Sequence, residues 1–271
     1  MRRLSHITHL GRTIDLRRPS NVFALLAPIG AALVVYGLDT TDIRRAVSTG
    51  LATFAAWAIA RELDPDRPRS AGLAAIGAPL AAVIVGTPAP APLFIVMVTL
   101  RILVRSTGLP PKTTDLAVLV VAAVVVGDTP WGWAAAILLA FAMVRDAGLP
   151  GDPPPNVGLW GAALAVGVTA RVAMSDSLGA WEIPETADVV VLAVGLAGAM
   201  VVVRPIPVLA LADWTKVSLD PSRLREAALF GILAAILSAI AAGGPGIVAI
   251  APLLLTYPAV AVVRSVDGVR V

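Results

Sequence analysis

The sequence predicts an all-α fold: a polytopic transmembrane helical bundle of about ten helices (eight to ten), with both termini cytoplasmic. Three observations predict it. Hydrophobic residues make up 58% of the 271-residue chain and charged residues 14%, with a mean hydropathy of +0.86. A soluble globule needs more polar surface than that to cover itself. Apolar runs of about 15–20 residues recur along the whole length. Lysine and arginine gather in alternate loops, the asymmetry that orients helices in a bilayer.

The opening "MRRLSHITHLGRTIDLRRPSN" precedes "VFALLAPIGAALVVYG", the basic-then-apolar order of a signal peptide. No small-residue cleavage motif follows, so residues 1–21 read as a cytoplasmic tail and the first apolar run as a retained helix. Spans are expected at 22–38, 45–60, 71–87, 92–105, 114–127, 131–145, 157–173, 187–203, 225–243 and 246–263. Backbone polar groups find no water in hydrocarbon, and these runs are too long for barrel strands, so each must be helical. The fifth run is short for a bilayer core of about 30 Å at about 1.5 Å per residue.

With the N-terminus inside, the inner loops carry Arg61, Arg67 and Arg69; Arg105 and Lys112; Arg145; Arg204, Lys216, Arg223 and Arg225. Arg264 and Arg270 follow the last span. The outer loops "GTPAPAP", "GDTP", "AMSDSLGAWEIPETAD" and "AAGGPG" have neither Lys nor Arg. The exception is "DTTDIRR", where Asp42 is placed to pair with Arg45 one turn on. Residues 1–271 thus read as a single integral membrane domain of the cell (plasma) membrane, with the lipid bilayer as its first partner. The apolar, proline-punctuated stretch 204–223, with Trp214, reads as an interfacial cytoplasmic loop. Trp131, Trp133, Trp160 and Trp181 sit near span ends, as an aromatic belt requires. "VRSTGLP" at 104–110 and "VRDAGLP" at 144–150 are two similar helix stops, each with Gly at the cap position and Pro beyond.

Composition also excludes chemistry. Cysteine is absent, which removes disulfides and thiolate sites. The two histidines, His6 and His9, both lie in the tail. The net charge of +3 fits basic inner loops, and no nucleic-acid partner is expected. No carboxylate falls near the middle of a span, which disfavours cation-coupled transport; Arg101 and Arg171 lie near span ends and are expected to snorkel.

The groups able to do chemistry gather at the cytoplasmic rim, above all in "RELDPDRPRS" at 61–70. Glu62 and Asp66 are four apart and would share a helical face if the helix ran past Arg61; Pro65 disfavours that. Glu62, Asp64, Asp66, Asp146 and Asp152 are the candidate ligands for Mg²⁺, which takes hard oxygens. Arg61, Arg67, Arg69, Arg101, Arg105, Lys112 and Arg145 are the candidates for gripping a phosphate-bearing lipid or an anionic solute. Acidic loops after the second and sixth spans, with "LRRPSN" and "RPRSAG", resemble the membrane prenyltransferases. That resemblance implies Mg²⁺ and a prenyl diphosphate held between those two loops. The second aspartate motif departs from that family's pattern, because Asp146 and Asp152 are six apart. No catalytic residue is assigned. Three readings stay open: a membrane or partner-assembly protein, a transporter of a lipid or small solute, and a Mg²⁺-dependent lipid-diphosphate enzyme.

Overall fold

The computed structural model describes residues 8–11, 16–17, 19–148, 156–174 and 181–268. Among them are ten helices and no strand: α1 (Pro19–Leu38), α2 (Ile43–Leu63), α3 (Pro68–Ile84), α4 (Pro90–Val104), α5 (Thr113–Val126), α6 (Pro130–Ala147), α7 (Val157–Met174), α8 (Thr186–Val202), α9 (Pro221–Ala242) and α10 (Gly244–Gly268). By length and composition, α1, α7, α9 and α10 are long and apolar enough to cross a membrane, whereas α3, α4, α5 and α8 are apolar but shorter.

Five of these helices open on a proline, at Pro19, Pro68, Pro90, Pro130 and Pro221. Proline suits a first turn, because its φ is already helical and its missing N–H would have no partner there. The helices therefore begin a few residues ahead of the apolar runs. The α9–α10 turn is tight: Gly243 takes φ 64 and donates its N–H to Ala239 O. A Cβ at Gly243 would run into the backbone of Glu182.

Packing is inverted relative to a water-soluble bundle. On α2 and α3 the inward faces are built largely of alanine, including Ala52, Ala55, Ala56 and Ala60 on α2 and Ala71, Ala74, Ala78 and Ala81 on α3, while α4 buries Leu93, Leu100 and Leu103. The outward faces carry the large aliphatics, such as Leu26, Ile29, Leu33 and Val34 on α1 and Ile76, Leu80, Val83 and Ile84 on α3. Small residues inside let backbones approach closely, which is how helices associate when the solvent is as apolar as leucine. At the centre, α10 packs against α2, α3, α8 and α9. Pro252 and Pro258 lie within it, and Gly195 and Gly198 of α8 meet Leu254 and the Tyr257–Pro258 backbone so closely that a Cβ at either would collide. Thr49, Thr53, Thr99 and Thr256 are buried, and each hydroxyl donates to the carbonyl four residues back. That leaves these hydroxyls committed to their own helices.

The ends of α2, α4, α6, α8 and α10 meet the starts of α3, α5 and α9 at one end of the bundle. Contacts across that end fix this: Arg264 reaches Val202 and Leu63, Arg67 reaches Asp267, and Arg223 faces Asp146. Residues 8–11 cross the same end, where Arg101 donates to Leu10 O at 2.7 Å. Of the described basic residues, only Arg44, Arg45 and Arg171 belong to the opposite end. Arg45 does not form the expected ion pair with Asp42. Asp42 accepts the Arg45 backbone N–H as a helix cap, and the guanidinium donates to Ala82 O. Arg171 pairs with Asp128 at 3.0 Å.

Candidate functional site

The charged end contains two buried ion clusters and one open groove. The first cluster forms because α2 stops at Leu63: Pro65 excludes helix at Asp64, which turns out with φ −143. Glu62 and Asp66 consequently share no helical face. Glu62, fully buried, accepts from Arg101 Nε at 2.9 Å, while Asp66 accepts the backbone N–H of Leu209 at 3.0 Å. Asp64, also buried, is held by Arg67 at 3.0 Å, by Arg264 at 3.5 Å and by the Ser70 hydroxyl. Arg264 further donates to Val202 O and Leu63 O, so one guanidinium joins the ends of α10, α8 and α2.

The second cluster joins the two similar helix stops noted in the sequence. Buried Asp146 of the second stop accepts from Arg105 Nε of the first at 2.8 Å, and Arg223 of α9 lies 3.8 Å away. At the first stop the cap differs from expectation: Arg105 is the C-cap and takes the left-handed conformation at φ 48, while Gly108, three residues on, also takes a positive φ of 86. The buried ion pair of Arg105 offsets a backbone cost of about 1–2 kcal/mol. At the second stop Gly148 is the cap, as the spacing predicts. Arg145 is turned outward to Glu226 at 2.8 Å.

Of the remaining candidates, Arg69 is exposed, has no side-chain partner among the described residues and lies outside the open groove, whereas Arg61 and Lys112 are engaged by the protein. Arg61 donates to Pro65 O. Lys112 caps α5, with Asp115 accepting its backbone N–H and that of His9; His9 Nδ1 also donates to Pro110 O at 2.7 Å. Arginines hold Glu62, Asp64 and Asp146, and the Leu209 backbone N–H holds Asp66, so the acidic residues are engaged separately. No three Asp, Glu or His side chains gather as metal ligands among the described residues, and a guanidinium beside a carboxylate repels a cation. The donor set seen here therefore does not fit Mg²⁺. Asp152, the fifth expected ligand, lies outside the described residues.

The groove lies between the α2–α3 turn, segment 204–208 and the first turns of α9. Asp64, Asp66, Arg204, Arg225 and Arg264 line it, with Ile206, Val208 and Leu224 among its apolar walls. Its open space is only about 10 Å³, so it is a shallow groove and not an enclosed cavity. Arg204 and Arg225 are exposed, and among the described residues their side chains have no hydrogen-bond or ion-pair partner. Sequence reasoning used both for topology alone. Their proximity to residues 64–66 depends on how 204–220 folds back. That segment forms a small hairpin-like turn, with Ala212 N bonded to Val217 O and Leu219 N to Ala210 O. It is pinned to the α4–α5 connection through Asp213 N to Ser106 O and Trp214 N to Thr107 O. Leu209, Leu211 and Val217 stay exposed on it.

At the opposite end a cleft of about 410 Å³ is lined by Glu182, Glu185, Asp188 and Trp131. Asp188 is engaged there as a cap, accepting Glu185 N at 2.9 Å. Neither a protein-family model, nor a curated protein, nor a solved structure matches this chain.

Proposed function

We propose that this is a multi-pass protein of the cell membrane, with its charged end and both termini cytoplasmic. Its cytoplasmic rim grips the phosphate of a membrane lipid at the Arg204–Arg225 groove. One observation carries the reading: most rim arginines are held inside the fold, and of those left unpaired two, Arg204 and Arg225, face a common groove. Guanidinium forks suit phosphate oxygens, and charge-assisted bonds to them are the strong ones. The exposed aliphatic belt of α1, α3, α8 and α9 supports immersion in lipid, since a soluble monomer rarely shows such continuous apolar surface. Exposed Leu209, Leu211 and Val217 beside the groove support a position at headgroup depth. The arginine hold on Glu62, Asp64 and Asp146 supports lipid anchorage over Mg²⁺-dependent diphosphate chemistry. Arg101, turned to the rim, supports it over a transport path through the bundle.

The test compares delipidated protein in detergent with added phospholipid or with a galactolipid that has no phosphate. Phospholipid should raise the unfolding temperature more, and R204A/R225A should erase the difference. Equal stabilisation of the wild type by both lipids refutes the reading.

A further inference from the structure

Resting on that reading, we infer that the groove is built for an ethanolamine phospholipid, whose headgroup carries a phosphate and a primary ammonium two carbons apart. The argument is the charge left over once internal pairs are removed. Asp64 is consumed by Arg67, Arg264 and Ser70. Asp66 is different. It is half-buried, accepts one bond, from Leu209 N to Oδ2, and makes no direct ion pair among the described residues, feeling the Arg264 charge only at longer range. The groove therefore offers two unpaired cations, Arg204 and Arg225, and one unpaired anion, Asp66.

A headgroup with phosphate alone satisfies the arginines and sets a negative charge beside the Asp66 carboxylate. A choline headgroup brings a cation without N–H, which offers the Asp66 carboxylate no hydrogen bond. A primary ammonium is compact and donates three hydrogen bonds, so it suits the second oxygen of Asp66 while the phosphate spans the guanidiniums. Ile206, Val208 and Leu224 then meet the glycerol and the first methylenes.

The experiment titrates delipidated full-length protein with ethanolamine, glycerol and choline phospholipids of equal chain length, with the galactolipid, and with water-soluble glycerophosphoethanolamine. Thermal stabilisation and quenching of tryptophan fluorescence report binding. The ethanolamine lipid should bind about tenfold more tightly than the choline lipid, the effect of one charge-assisted hydrogen bond. D66N should bring the two within about twofold while leaving affinity for the glycerol lipid undiminished. Asn keeps an oxygen for Leu209 N, so unliganded D66N should unfold at the wild-type temperature, which separates loss of recognition from loss of fold. Soluble headgroup binding far more weakly supports a lipid ligand; binding as tight as the intact lipid overturns it in favour of a free phosphate ester. Glycerol or choline lipid binding as well as ethanolamine lipid overturns the inference but spares the parent reading. No advantage of any phospholipid over the galactolipid overturns both.

Discussion

Replacing Arg101 with methionine tests the buried ion pair that closes the charged end. Glu62 has no exposed surface and Arg101 keeps 12% of its side chain exposed, so the pair sits where water screens little. Removing Arg101 takes away the guanidinium from which Glu62 accepts at 2.9 Å, and breaking a buried ion pair in this way costs about 3–5 kcal/mol. At about 2–4 °C per kcal/mol for a chain of this size, the unfolding temperature should fall by about 6–20 °C. E62Q/R101M removes the buried carboxylate charge as well. It should recover all but about 1 kcal/mol, the remainder being the bond from Arg101 Nη1 to Leu10 O. Unfolding followed by tryptophan fluorescence in mild detergent gives all four corners of the cycle, and limited proteolysis at residues 8–11 reports release of the tail. A fall of less than about 1 kcal/mol in R101M, or a double variant as unstable as the single, refutes the assignment of a desolvated pair.

Other expectations follow from the packing and from topology. Gly198→Ala should destabilise by about 1–3 kcal/mol, because its Cβ enters the Tyr257–Pro258 backbone, whereas Gly167→Ala, with open space around it, should be neutral or slightly stabilising; detergent melts of the two variants decide. Because the chain has no cysteine, S218C and T40C report sidedness directly: in intact cells an impermeant maleimide should label only the cysteine at 40, and labelling at 218 refutes the proposed orientation. Hydrogen bonds from Ser222, first its hydroxyl and then its backbone N–H, hold the Asp220 carboxyl below its ordinary value of 3.8. That stabilisation is complete above the ordinary value and is lost as pH falls through the lowered one. The stability gap between wild type and D220N should therefore close on acidification below about pH 3.8, and a constant gap refutes the cap.

Much of the fold is legible in the sequence because the apolar period and proline punctuation are local. Each of the ten runs became one helix, with edges displaced by a few residues where Pro19, Pro68, Pro90, Pro130 and Pro221 extended the starts. The site was less legible. The sequence brings together the charges of "RELDPDRPRS", yet Glu62, Asp64 and Asp66 diverge to three different partners. Arg204 and Arg225 stand far from residue 64 along the chain, and no local pattern marks them as facing it. The left-handed turn at Arg105 was equally hidden, because its stabilising partner, Asp146, lies on another helix.

By itself, then, the sequence determined which segments are helical and which loops carry the basic residues, since backbone hydrogen bonding and the cost of burying charge act on each segment separately. The tertiary structure alone decided which charges are spent and which stay free. Pairing depends on distances of 2.8–3.8 Å between helix ends, and those are set only when alanine- and glycine-lined faces lock the bundle together.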